Sequence, residues 1–202
     1  MLELILLSLG LSCATGVLSL VASKARAASK TIACVGGMGA AALSFAGGIG
    51  ALFQTATYAS WIGPMPFTNF TLLLNPLAGL LIAVIAALAF VAWLYGLSYF
   101  DEYYEAGIGV IGFFMNLFIA SMNLVILADN AFWFLVFFEL MSLTSYVLVI
   151  IDRTEASLKG GFLYLIMAHI GFLMIACSFF AMASATGSLE FEAFRTLSLI
   201  HI

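Results

Sequence analysis

The charged residues of this chain are clustered, and between the clusters run uncharged apolar stretches that approach or exceed the ~20 residues an α-helix needs to cross a bilayer. Of its 202 residues, 65% are apolar and only 8% charged, with a mean hydropathy of +1.21. Water-soluble domains carry roughly a quarter charged residues, so a soluble fold is excluded and the lipid bilayer is the expected surrounding. The net charge of −4 and pI near 4.9 leave no basic patch for a phosphate backbone, which argues against nucleic-acid binding.

The apolar pattern predicts an all-α, polytopic integral membrane bundle with about six spans: Leu4–Ala22, Thr31–Phe53, Leu77–Tyr99, Gly107–Ala128, Ala131–Ile151 and Gly160–Met182. The first span has no positive n-region and exceeds the usual apolar length of a signal peptide, so it is expected to stay attached. Basic residues fix the orientation, because they resist translocation. Lys24, Arg26, Lys30, Arg153 and Lys159 fall on one side and only Arg195 on the other, which predicts that both termini face outward. Tyr58, Trp61, Tyr99, Tyr103, Tyr104 and Trp133 fall near span ends, where amphipathic rings sit at the headgroup level. After the last span, Ser188 is expected to cap a short helix from Leu189. Leu189, Phe191, Phe194 and Leu197 against Glu190, Glu192 and Arg195 make that tail amphipathic.

Two motif matches carry little chemistry. Gly37-Met38-Gly39-Ala40-Ala41-Ala42 satisfies the dinucleotide pattern G-x-G-x-x-A, but it lies inside a span rather than after a strand. The same span places Gly36, Ala40, Ser44 and Gly48 at steps of four, a small-residue ridge that lets another helix approach closely. The segment Asp101–Glu105 reads as a solvated acidic loop. Cys13, Cys34 and Cys177 lie singly within apolar runs and read as small buried hydrophobes rather than ligands. His169 is the one histidine inside a span, and His201 is next to last. A bis-imidazole haem is not expected, and the chain is expected to bind no cofactor and no metal.

Glu139 stands alone as a charge in the middle of a span. An acidic residue there costs about 2.5–3.5 kcal/mol on translocon scales, so it should face the bundle interior and have a partner, a hydrated cavity or a proton of its own. If the last two spans form an antiparallel hairpin, Glu139 and His169 lie ~18 and ~14 Å below the same surface at 1.5 Å per residue. A carboxylate and an imidazole at one level can exchange a proton, although sequence alone leaves open whether they face each other. Ser142 and Tyr146 follow Glu139 on one helical face, and Asn116 and Asn123 share another. Both stripes can hold water or join helices by hydrogen bonds. Lys159, at the end of its span, is a weaker proton-path candidate that snorkelling also explains.

The stretches Gly112-Phe113-Phe114-Met115-Asn116-Leu117-Phe118-Ile119-Ala120-Ser121-Met122, Asp129-Asn130-Ala131-Phe132-Trp133-Phe134 and Phe137-Phe138-Glu139-Leu140-Met141-Ser142-Leu143 are distinctive. Leu163 to His169 and Thr186 to Phe191 add to them. Together they resemble the antiporter-like proton-translocating membrane subunits of respiratory complex I and of membrane-bound hydrogenases, notably the large membrane subunit of hydrogenase-4 and formate hydrogenlyase. The resemblance is specific from about Leu77 to Ser198. It implies that residues 1–74 are an N-terminal two-helix region with an outer loop, and that residues 75–202 begin the proton-translocating domain. It also implies that Glu139 is the family's proton-path glutamate of helix five, that lysines pairing with it lie on helices this sequence does not contain, and that the chain corresponds to the leading part of such a subunit. The partners implied are other membrane subunits and a peripheral redox arm that does the electron chemistry, in an energy-transducing membrane such as a bacterial inner membrane. A non-transporting anchor or truncated scaffold, in which Glu139 only joins helices, and a cation/proton antiporter subunit are the alternative readings.

Overall fold

In the computed structural model, residues 1–65, 68–102 and 107–200 are described. They form α1 (Leu2–Val21), a 3-10 turn (Ala22–Lys24), α2 (Arg26–Ala51), β1 (Thr57–Met65), β2 (Thr68–Leu74), α3 (Pro76–Glu102), α4 (Ile108–Leu127), α5 (Ala131–Val149), α6 (Glu155–Thr186) and α7 (Phe191–Ile200). Six of these helices are long and apolar enough to cross a membrane, as the hydropathy predicts. Local chemistry sets their ends. Asn75 Oδ1 accepts from the Ala78 amide ahead of Pro76 at the first helical position, Asn130 caps α5 through the Phe132 amide, and Thr154 caps α6 through the Ser157 amide. Gly187, in the left-handed region at φ 71°, ends α6.

Several expectations are corrected here. The outer segment after α2, for which no strand was expected, is an antiparallel hairpin, with Thr57 opposite Leu74 and Trp61 opposite Phe70 before a register irregularity. Its β-branched and aromatic residues around Gly63 favour strand pairing, and the expectation of helices alone had no place for it. Likewise, the tail helix starts at Phe191, not Leu189, because residues 189–190 are drawn into strand-like pairing: Leu189 O accepts from Ala131 N, and Asn130 bridges Glu190. Ser188 Oγ accepts from the Glu190 amide instead of starting the helix. Helix α6 is also longer than the span expected, running from Glu155 to Thr186. Tyr103, Tyr104, Glu105 and His201 lie outside the described residues. Of the cysteines, Cys34 is buried, whereas Cys13 and Cys177 are exposed on the surface of this chain, so only the first behaves as a core hydrophobe.

The small-residue ridge of α2 is where the helices close on one another. A Cβ on Gly36 would collide with the Thr15 methyl of α1, and one on Gly48 would stand 2.7 Å from the Gly79 carbonyl and 2.9 Å from the Ala83 amide of α3. Between them Ala40 is buried, and Ser44 hydrogen-bonds Ser8 of α1 across 2.6 Å. One residue along, Gly37 makes room for the Trp93 indole, which is 1% exposed against Ala33, Cys34, Phe100 and Ile108. Helix α4 packs on α1, with Gly112 beside Ser19 and Ala33, and α5 packs on α4. Helix α6 touches mainly α5 and α7, leaving Phe162, Leu163, Ile166, Ile170, Leu173 and Phe180 exposed on its surface.

At one end of the bundle three connections are stitched together. Leu72 bridges Ala128, Asp129 N donates to Thr71 O, and Asn130 bridges Glu190. The Glu190 carboxylate then accepts from Asn130 Nδ2 at 3.0 Å and Thr71 Oγ1 at 3.3 Å, while Arg195 of α7 reaches Asp129 at 3.5 Å. Burial pushes the Asp129 carboxyl up from its ordinary value. Arg195 opposes that shift, and Glu190 and Glu192 add to it.

Two tests follow from this packing. Gly48→Leu must separate α2 from α3 against backbone atoms, and it is expected to destabilise the protein by on the order of 1–3 kcal/mol in thermal unfolding. Gly10→Ala, where nothing lies within 4 Å of the added carbon, is expected to be neutral or slightly stabilising. The raised Asp129 value means that the folded chain holds this proton more tightly than the unfolded chain does. Its contribution to stability is therefore complete below about pH 4 and is lost as pH rises through the raised value. Asp129→Asn is expected to flatten that limb when unfolding temperature is followed against pH.

Candidate functional site

Glu139 and His169 meet. His169 Nε2 lies 2.9 Å from Glu139 Oε1, joining the middle of α5 to the middle of α6. The similar depth expected from counting residues is joined by a shared facing, because both side chains project into the line along which the two helices pack. On the far side of the ring, His169 Nδ1 lies 2.8 Å from the carbonyl oxygen of Leu165, one turn earlier on its own helix. A carbonyl only accepts, so Nδ1 carries a hydrogen, and the tautomer follows from that contact.

A hydrogen bond across the contact to Glu139 then needs one proton between Nε2 and Oε1. With the proton on Oε1 the pair is a carboxylic acid donating to a neutral imidazole. With the proton on Nε2 it is a carboxylate accepting from an imidazolium. Both forms have zero net charge, which lowers the cost of holding an ionisable group at this depth. The second oxygen, Oε2, is buried and has no hydrogen-bond partner among the described residues. The side chains of His169 and Glu139 are 42% and 26% exposed, so the pair opens on the face of the α5–α6 hairpin that α1–α4 do not cover.

An aromatic lining continues from the pair toward α7. Phe138 stacks on Phe172 of α6 at 6.5 Å, Phe134 meets Phe179 edge-on at 5.5 Å, and Phe179 packs against Phe191 and Phe194 of α7. These rings exclude water from the α5–α6 contact between the pair and the stitched end of the bundle. The Ser142 hydroxyl is turned back to the Phe138 carbonyl, so it pairs with its own helix rather than with Glu139. Tyr146 lies against Gly161 on α6.

The other candidates are placed elsewhere. Lys159 pairs with Glu155 one turn before it at 2.7 Å, with side chains 78% and 84% exposed, and it is not brought to the Glu139 pair. Gly36, Ala40, Ser44 and Gly48 form helix contacts, as their spacing suggests. Asn116 donates to Gly112 O within α4, and Asn123 lies 3.4 Å from Ser44 of α2. Sequence reasoning missed Glu190 as the residue that ties the hairpin and the start of α5 to the segment before α7. Its signal was a carboxylate directly after a glycine-ended helix, which a reading of amphipathicity counts only as a polar face.

Comparison with known proteins now bears on this arrangement. Residues 128–201, which include Glu139, His169 and Glu190, match the family described as NADH:quinone oxidoreductase/Mrp antiporter, transmembrane. Hydrogenase-4 component B of Escherichia coli (strain K12) is 46% identical over 136 residues, covering 67% of this chain and 20% of that protein. An uncharacterized protein of Methanocaldococcus jannaschii is 30% identical over 81 residues, covering 40% of this chain and 17% of its own length. The chain thus spans about a fifth of the length of the curated relatives it matches. Among solved structures, a chain of the membrane-bound sulfane sulfur reductase, an archaeal respiratory membrane complex, superposes with a TM-score of 0.79 at 17% identity, over 92% of this chain and 38% of that one. A chain of the Mrp complex from Dietzia sp. DQ12-45-1b gives 0.71 at 22% identity, over 92% and 20%. The fold is therefore one shared with chains of these two membrane complexes, and residues 128–201 are similar in sequence to the family described as NADH:quinone oxidoreductase/Mrp antiporter, transmembrane.

Proposed function

We propose that this chain belongs to a proton-translocating membrane subunit of a hydrogenase- or complex-I-like assembly, and that Glu139 takes up and releases the proton, with His169 as its immediate partner. The observation that carries the reading is the 2.9 Å bridge between Glu139 Oε1 and His169 Nε2 in mid-helix, closed by one proton. A pair built only to join helices would be served by groups that never change protonation, whereas an acid and an imidazole that stay neutral together are suited to passing a proton on. The partners are other membrane subunits and a peripheral redox arm, which hold the electron carriers, so this chain needs no cofactor of its own. The five-to-one distribution of Lys and Arg supports an orientation with the stitched end and the N-terminus outside, and the proposed role puts the chain in an energy-transducing membrane such as a bacterial inner membrane.

The test is made in the full-length protein within its assembly, by following proton release from vesicles during electron transfer. Glu139→Gln keeps the shape but cannot give up a proton, and coupled proton transfer is expected to fall by about a hundredfold or more. Lys159→Ala is expected to leave it unchanged. Full coupling in Glu139→Gln, with only a lower unfolding temperature, would instead favour the scaffold reading.

A further inference from the structure

We infer that Tyr164 is a positioning residue for the Glu139–His169 pair, locking the rotation of α6 on α5 through its hydrogen bond to Ser145. Among the described residues two side-chain polar contacts cross from α5 to α6: Glu139 with His169, and Ser145 Oγ with the Tyr164 hydroxyl. Ser142 and Thr144 on α5, and Ser178, Ser184 and Thr186 on α6, bond back to carbonyls of their own helices. At ~100° per residue, Tyr164 and His169 stand about 140° apart around α6, and Glu139 and Ser145 about 120° apart around α5. Gly161 and Phe172, which meet Ile150 and Phe138 of α5, fall between Tyr164 and His169 on the α6 wheel. The two bonds therefore grip the line of contact from opposite flanks, and a rotation of α6 in either sense strains one of them.

Such a lock matters because little else fixes α6. Gly161 and Ala176 are its only buried residues, and apolar contact with α5 is non-directional. The contact of His169 Nδ1 with the Leu165 carbonyl orients the ring on its own helix but not toward α5. Side-chain atoms lie about 5–6 Å from a helix axis, so a turn of about 10° moves them by about 1 Å. Directed away from Glu139, that displacement carries the 2.9 Å contact beyond hydrogen-bond reach. Removing the tyrosine hydroxyl leaves Ser145 with the Ser142 carbonyl at 3.1 Å, so Tyr164→Phe keeps the ring and strands no donor. Helix α4 carries no titratable group. The others on the packed helices are Tyr146 on α5, Glu155, Lys159 and Cys177 on α6, and Glu192 and Arg195 on α7. Among the described residues no hydrogen bond or ion pair joins any of these to the Glu139–His169 pair.

The positioning role stands on geometry alone, and its consequence for coupling rests on the proton-carrying reading. The test uses the full-length protein in its assembly and compares Tyr164→Phe, Ser145→Ala and the double variant. Each removes the same bond, so all three are expected to shift the pH midpoint of coupled proton transfer by the same amount, about one unit or tenfold in the proton equilibrium. An unchanged midpoint with only a lower unfolding temperature overturns the inference, as does a double variant whose shift is the sum of the single ones. If Glu139→Gln keeps full coupling, the proton-carrying reading fails and the contact itself decides. An experimental map of Tyr164→Phe in which His169 Nε2 stays within hydrogen-bond reach of Glu139 overturns the inference, and one in which the two have parted supports it.

Discussion

Close contact between helices in lipid has to be won without a hydrophobic drive, because lipid tails are as apolar as leucine, and this chain meets the constraint with small residues on α2. Gly36 admits Thr15 of α1, Gly37 admits the Trp93 ring, and Gly48 brings the backbones of α2 and α3 into contact. Dispersion grows with the number of atoms brought within contact distance, so a helix ridged with glycine and alanine can hold two neighbours at once. The Ser19–Ser29 and Ser8–Ser44 pairs add hydrogen bonds along the same interfaces, where water cannot compete for them. The result is a body of α1–α4 that closes on itself.

The α5–α6 hairpin is held differently, and the difference bears on function. Its helices touch through phenylalanine rings and through one polar bridge, and α6 leaves most of its surface free of this chain. A glutamate in such a setting is held by its histidine rather than by a rigid cage. The close-packed four-helix body and the polar bridge on its outer hairpin are thus held by different interactions.

Much of this was legible in the sequence, for reasons that differ residue by residue. The spans follow from hydropathy because backbone groups in lipid have to pair within the segment. The α2 ridge follows from a step of four on a 3.6-residue helix, and Glu139 stands out because a mid-span carboxylate is rare on energetic grounds. Facing could not be read. That Glu139 meets His169 depends on the rotation of α5 and α6 about their own axes, which residue counting along a hairpin does not fix. The β1–β2 hairpin was missed because Thr57–Leu74 is short, charge-free and interrupted by turn residues, a pattern that resembles a loop until its partner strand is seen. The role of Glu190 depends on Thr71 and Asn130, which lie 119 and 60 residues away in sequence.

The stitched end connects these parts. Helix ends leave unpaired backbone groups, and at a membrane surface these have to be met by caps, water or neighbouring chain. Here the hairpin, the α4–α5 turn and the segment before α7 pair with one another, so that Thr71, Asp129 and Glu190 satisfy backbone and side-chain groups from three connections. Trp133 adds a bond to the Asn69 carbonyl, fixing the first turn of α5 to β2. Because α5 is anchored there at its start and packed on α4 along its length, the position of Glu139 is set from the rigid side of the molecule. His169 sits on α6, which is held at its end by Gly187 and the Leu189–Ala131 pairing and otherwise by contact with α5 and α7. Of the two partners in the bridge, the histidine is thus on the helix with fewer anchors among the described residues, and the 2.9 Å contact depends on how α6 packs against α5.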